Sequence, residues 1–197
     1  MNQHTSLKYL LLLVAICLFD SCATEEKNYI PITKDAHIVL IGNNLCSRMM
    51  NYGHFETELH LRYPDSNLYI RNMCDGGDTP GFRPHSGRND PWAFPGAEQF
   101  QDELARDSKS EGFLEKPDEW LTRHKADIIL AFFGFNESYE GAEGVANYKA
   151  ELDAFIQHTL SQQYNGESAP QLVLVSPIAF EDLSDQYDLP NGSEENE

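Results

Sequence analysis

His37-Ile-Val-Leu-Ile-Gly42 is the stretch on which the fold turns. Four aliphatic residues in a row, closed by glycine, show no alternation of apolar and polar positions. The run therefore reads as a strand with both faces covered. Working outward, Leu68-Tyr-Ile-Arg-Asn72 and Asp127-Ile-Ile-Leu-Ala-Phe-Phe133 are two further strand candidates, and Gln171-Leu-Val-Leu-Val-Ser176 is a fourth, ended by Pro177. A helix-like stretch follows the first strand, roughly Cys46 to Tyr63. A second helix, from about Gly144 to Gln163, places Val145, Tyr148, Leu152, Phe155, Ile156 and Leu160 on one face, and that stripe is expected to be core. Strands alternating with helices predict an α/β fold with right-handed crossovers, and so a parallel sheet covered on both sides.

Ligands in such sheets bind outside the carboxyl ends of the strands. That directs attention to the loops at 42–47, 73–81 and 134–138. Between the second and third strands lies GFRPHSGRNDPWAFPGAEQFQDELARDSKSEGFLEKPDEW, residues 81–120. Its first half holds too many glycines and prolines for regular structure, while Gly96 to Asp107 and Pro117 to His124 each suit a short helix. A long loop at the ligand end reads as a lid or a specificity wall.

The chain has 197 residues, 41% of them hydrophobic and 11% aromatic, enough for one core. Its formal net charge of −18 leaves no basic stripe to displace counterions from phosphates, so nucleic acid is excluded as a partner. Of four cysteines, Cys17 and Cys22 sit in the N-terminal segment. Cys46 and Cys74 remain, just after the first and second strands. Either a bridge or two small buried thiols would fit there, and buried thiols are the expectation. No Cys/His spacing suggests a metal, and no motif calls for a cofactor.

Residues 1–22, MNQHTSLKYLLLLVAICLFDSC, begin polar with Lys8 and continue as an apolar run from Tyr9 to Phe19. The run is short for a bilayer span and has the layout of a secretory signal. Ser21-Cys22 resembles a lipobox, in which Cys22 becomes the lipidated mature N-terminus, although Asp20 departs from its usual apolar or small residue. More than one acyl chain on that residue gives stable anchoring, where a single chain is marginal. The expectation is therefore a bacterial cell-envelope lipoprotein, held to the membrane by its lipid, periplasmic or surface-exposed. Residues 23–35 are polar, contain Pro31 and read as a linker, leaving 36–197 for the domain.

The three loops carry Ile41-Gly-Asn-Asn44-Leu, then Asn72-Met-Cys-Asp-Gly-Gly77-Asp-Thr79, then Phe133-Gly-Phe-Asn136-Glu137. Together, and in this order, they resemble the first three sequence blocks of the SGNH (GDSL-like) hydrolases, over about Ala36 to Ile178. The resemblance implies a flavodoxin-like three-layer sandwich and a relation to esterases, lipases and carbohydrate deacetylases. In that family a serine at the end of the first strand attacks the ester. Its own amide, a second-block glycine amide and a third-block asparagine then form the oxyanion hole. Carried onto this chain, Gly77 and Asn136 match the oxyanion-hole positions and Asn44 stands at the nucleophile position.

There the pattern departs from the family. Asn44 replaces serine and Asn43 replaces aspartate, and a carboxamide is not a usable nucleophile. Cys46 and Ser47 lie too far into the following helix to substitute. The family's last block, a histidine three residues after an aspartate, is not found after Pro177, where the sequence turns polar and acidic. The fold is accordingly expected to be incomplete at the C-terminus, and further domains in a longer parent protein are expected by analogy. His54 and His85 are the histidines nearest the loops. Two functions stay open: a hydrolase-like domain acting on acyl or acetyl esters but inactive as this chain, or a module that binds a small-molecule or glycan ester ligand in the same cleft.

Overall fold

A computed structural model describes residues 29–85, 87–101, 112–179 and 181–182. The signal and lipobox segment with Cys22, most of the linker, and the second half of the helix expected at 96–107 lie outside the described residues. The chain divides between Pro31 and Ile32 into two units, and every element described belongs to the second.

Four strands, β1 (His37–Gly42), β2 (Tyr69–Asn72), β3 (Ile128–Phe132) and β4 (Gln171–Leu174), form one all-parallel sheet in the order β2-β1-β3-β4. This is an α/β fold. The order equals the first four positions of the doubly wound 2-1-3-4-5 arrangement. In register, Ile38 faces Ile70 on one side and Ile128 on the other, and Ile128 in turn faces Gln171. Ile38, Val39, Leu40 and Ile41 are all buried because β1 has a neighbour on each side and cover on each face. Successive strand residues point to opposite faces, so Val39, Ile41, Ile129, Ala131 and Phe133 share one of them. That face packs with Phe94, Ala97, Leu121 and Phe155 as the main core.

The helix expected between Cys46 and Tyr63 is broken in two: α1 (Asn44–Met49) and α2 (His54–Arg62). After Met49 the amides of Met50, Asn51 and Tyr52 bond three residues back, to Ser47, Arg48 and Met49, which tightens and ends the first helix before Gly53 opens the second. A single turn of 3-10 helix, Ala97–Phe100, marks the start of the stretch expected as a helix from Gly96. Helix α3 (Pro117–Arg123) starts with proline at its first position, and the Glu119 carboxylate accepts the Lys116 amide at 3.1 Å.

Helix α4 (Gly141–Ser161) corrects the expected stripe. Val145 and Leu160 are exposed, at 60% and 45%. The buried line instead runs through Gly144, Glu151, Phe155 and Thr159, with Tyr148, Leu152 and Ile156 half-buried beside it. The helix is rotated toward a polar pair because Glu151 has partners waiting in the loop after β2.

Cys46 and Cys74 form a disulfide, with Cα atoms 5.7 Å apart, which corrects the expectation of two buried thiols. The parallel pairing of β1 with β2 brings the two following loops side by side, within the span a bridge requires. Asn72 reinforces the junction, donating to the Cys46 carbonyl at 2.9 Å and accepting the Cys74 amide at 2.9 Å. No helix among the described residues is long and apolar enough to cross a membrane.

Candidate functional site

β1 ends on Gly42, whose φ of +126° and close approach to β3 exclude a side chain: a Cβ there would stand 2.2 Å from the Phe132 carbonyl oxygen. Asn43 follows, 2% exposed, with its amide donating to that same carbonyl at 2.9 Å. Asn44 is the first residue of α1 and half-buried. Its carboxamide donates to Oδ1 of Asn136 at 3.5 Å, and a Cβ added at Gly76 would stand 3.0 Å from its Oδ1. Asn44, the Gly76-Gly77 turn and Asn136 thus meet at the carboxyl ends of β1, β2 and β3.

The donors at this junction are turned inward. The Asn136 carboxamide nitrogen donates to the carbonyls of Gly76, at 2.9 Å, and Asp78, at 3.1 Å. The Gly77 amide donates to the Asp75 carboxylate at 3.3 Å, and the Asp78 amide to the Asp75 carbonyl at 3.1 Å. An oxyanion hole needs donors aimed at the developing charge. Here the Asn136 and Gly77 donors instead brace the turn.

Behind this junction sits an acidic layer that the sequence reading did not single out. Glu137 Oε2 accepts the Gly134 amide at 2.8 Å and the Asn43 carboxamide at 3.3 Å, while its Oε1 is buried with no partner among the described residues. Burial is the main cause that pushes the Glu137 carboxyl up to about 7, against hydrogen bonds from its own amide, the Gly134 amide and the Asn43 carboxamide that favour its charged form. Glu151, fully buried on α4, accepts from the Thr79 hydroxyl at 2.8 Å and the Gly81 amide at 2.9 Å. Gln101 adds bonds to both of its oxygens, at 3.3 and 3.4 Å. Burial raises the Glu151 carboxyl as well. The neighbouring Tyr148 phenol is pushed up to about 12, chiefly by burial and then by these two glutamates.

An apolar cavity of about 280 Å³ opens beside Asn43 and Asn44, walled by Leu45, Phe132, Phe135 and Val175. A wider groove of about 670 Å³, between Asp90, Trp92, Glu98 and Lys116, shares no residue with it. The first cavity touches the residues singled out by motif, so it is the better candidate despite its smaller size. None of the other candidate nucleophiles and bases lines this cavity. Cys46 is locked in the disulfide, and Ser47 is half-buried on α1. His54 is exposed and stacked on Tyr52, and His85 is exposed and meets the Trp120 ring edge-on. Among the described residues no group of His, Cys, Asp and Glu is arranged to hold a metal ion.

Comparison with protein-family models, with curated proteins and with solved structures gives no significant match.

Proposed function

We propose that this chain is an SGNH-like domain, related to ester hydrolases, that binds an acyl- or acetyl-bearing small molecule or glycan in its cleft without cleaving it. The observation that carries the reading is Asn44. It stands where the family has its nucleophile, and its carboxamide is hydrogen-bonded to Asn136 instead of being paired with a base. Loss of a nucleophile from a concerted set removes most of the acceleration and leaves binding behind. The apolar cavity beside Asn44 is of a size for a short acyl group, and Asn44, Arg48 and Ser176 add polar groups to its wall. The same reading places the protein in the bacterial envelope, anchored through lipid on Cys22.

The test uses p-nitrophenyl acetate as probe. Saturation-transfer NMR on the purified chain is expected to show the acetyl methyl in contact with protein, with no release of nitrophenol above buffer. The contact should vanish in Leu45→Trp, which fills the cavity. No methyl contact in the wild type removes the binding reading. Turnover that Asn136→Ala abolishes replaces it with catalysis.

A further inference from the structure

The apolar cavity beside Asn44 has one charged residue in its wall, Arg48. It stands one turn on from Asn44 and three residues from Leu45, so α1 presents an apolar and a cationic side chain to the same space. Among the described residues no aspartate or glutamate lines the cavity. That sets the cavity apart in a chain whose acids outnumber lysine and arginine by 32 to 14.

Cations at two other pockets are already matched. Lys116, in the wider groove, is held by Asp90 at 2.8 Å. Arg83 and Arg88, buried in the loop after β2, face the Asp78 carboxylate, and the niche of about 10 Å³ beside them has room for one water. Arg48 is exposed and stands in none of the described ion pairs.

A net charge of −18 repels an anion in general, so an anionic ligand settles only where a local cation and an acid-free wall oppose that field. The cavity beside Asn44 meets both conditions. A guanidinium presents a planar fork of N–H donors, which matches a carboxylate better than the uncharged oxygens of an ester or amide. The side chains of Leu45, Phe132, Phe135 and Val175 carry no polar atoms, so the part of the ligand that lies against them is hydrocarbon. With about 280 Å³ available, and roughly 30 Å³ for each water-sized group, that part has room for about eight or nine carbons.

We propose that Arg48 makes this cavity selective for anionic amphiphiles, holding the head group of a straight-chain carboxylate of about eight carbons while the tail lies along the apolar walls. The inference rests on the binding reading above and narrows its ligand from acyl compounds in general to the free carboxylate. The tail supplies most of the affinity, about fourfold for each methylene buried. Arg48 decides between an acid and its neutral analogues; because it is exposed, water screens the pair and its share is about three- to fivefold.

The test is a set of saturation-transfer NMR titrations of the intact chain at neutral pH. The probes are butyrate, hexanoate, octanoate and dodecanoate, with octanamide as the neutral match of octanoate. Affinity is expected to climb about fourfold per methylene to octanoate and then level off. Octanoate should bind about three- to fivefold more tightly than octanamide, a margin that Arg48→Met removes without weakening octanamide. Equal binding of octanoate and octanamide by the wild type overturns the proposal, and so does a margin that persists in Arg48→Met folded by near-ultraviolet circular dichroism. Should that variant not fold, Arg48→Gln is read in the same way, and if neither folds the wild-type margin alone decides. Contact with p-nitrophenyl acetate but no preference for octanoate leaves the cleft reading standing and sinks this one. Contact with none of the probes removes both.

Discussion

Replacing Glu137 by glutamine removes one buried ionisable group and keeps an oxygen to accept the Gly134 amide. The wild-type carboxyl sits at about 7, against an ordinary value of 4.5, chiefly because burial disfavours its charged form. A carboxyl raised in this way holds more protons folded than unfolded between the two values, so stability falls as pH rises across that window. The full separation corresponds to about 3 kcal/mol, and partial exposure of the side chain reduces this to about 2 kcal/mol. Urea unfolding of both proteins, with the disulfide kept oxidised, measures it at steps from about pH 4.5 to about pH 7.5. The wild type should lose about 2 kcal/mol more than Glu137→Gln across the range. Comparison with the variant cancels the general self-repulsion of a chain carrying −18 charges. Two curves that run parallel, or a wild type that gains stability with pH, would refute the assignment of Glu137 as a buried, proton-holding carboxyl.

Neither Cys46 nor Cys74 should react with a thiol reagent until dithiothreitol is added, and removing the bridge across its separation of 28 residues should cost about 3–4 kcal/mol in urea unfolding. Glu151→Ala should destabilise by about 3 kcal/mol, since it strands the Thr79 hydroxyl and the Gly81 amide, whereas Glu151→Gln, which keeps one acceptor, should lose less than half of that. Asn44→Ser should leave p-nitrophenyl acetate uncleaved: among the described residues no histidine is bonded to the side chain at that position, which meets Asn136, and turnover above buffer would show that a base is in reach. Fatty-acid labelling of the expressed protein should be abolished by Cys22→Ala, and equal incorporation in the variant removes the lipid anchor from the proposal.

The strands were legible because their signal is local. Four aliphatic residues in a row at 38–41, and the apolar runs at 128–133 and 172–175, mark strands of a sheet, and the alternation with helices then dictates parallel pairing; the edge strand β4 is nevertheless only half covered, with Leu174 47% exposed. The break at Met50–Gly53 was less legible, since a turn that tightens within one helix leaves the apolar pattern nearly intact. Helix α4 shows the opposite failure. Apolar periodicity pointed to Val145 and Leu160, but the face that turns inward is chosen by Glu151, whose partners Thr79, Gly81 and Gln101 lie 50 to 72 residues away in sequence. A buried carboxylate carries no pattern of its own. The same holds for Arg83 and Arg88, which sit in a stretch whose glycines and prolines announce only irregular backbone. For the disulfide, the two cysteines were visible and their positions after adjacent strands noted, but pairing depends on a Cα separation that only the β1–β2 register supplies. At the cleft, motif order located Asn44, Gly77 and Asn136; the direction of their N–H groups was beyond it, because it depends on which carbonyls the folded turn presents.

The strand order has a consequence for how the chain is made. β1 pairs with β2 about thirty residues later, but its other edge waits for β3, where Ile38 meets Ile128, ninety positions on. As the chain emerges N-terminus first into an oxidising compartment, the early half is able to close β1 against β2 and staple them through cysteine oxidation, yet it still presents an open edge of Ile, Val, Leu and Ile until Phe132 has followed. That interval is the moment of greatest exposure to mispairing and aggregation, and the late β1–β3 closure is the contact that sets the pace of folding.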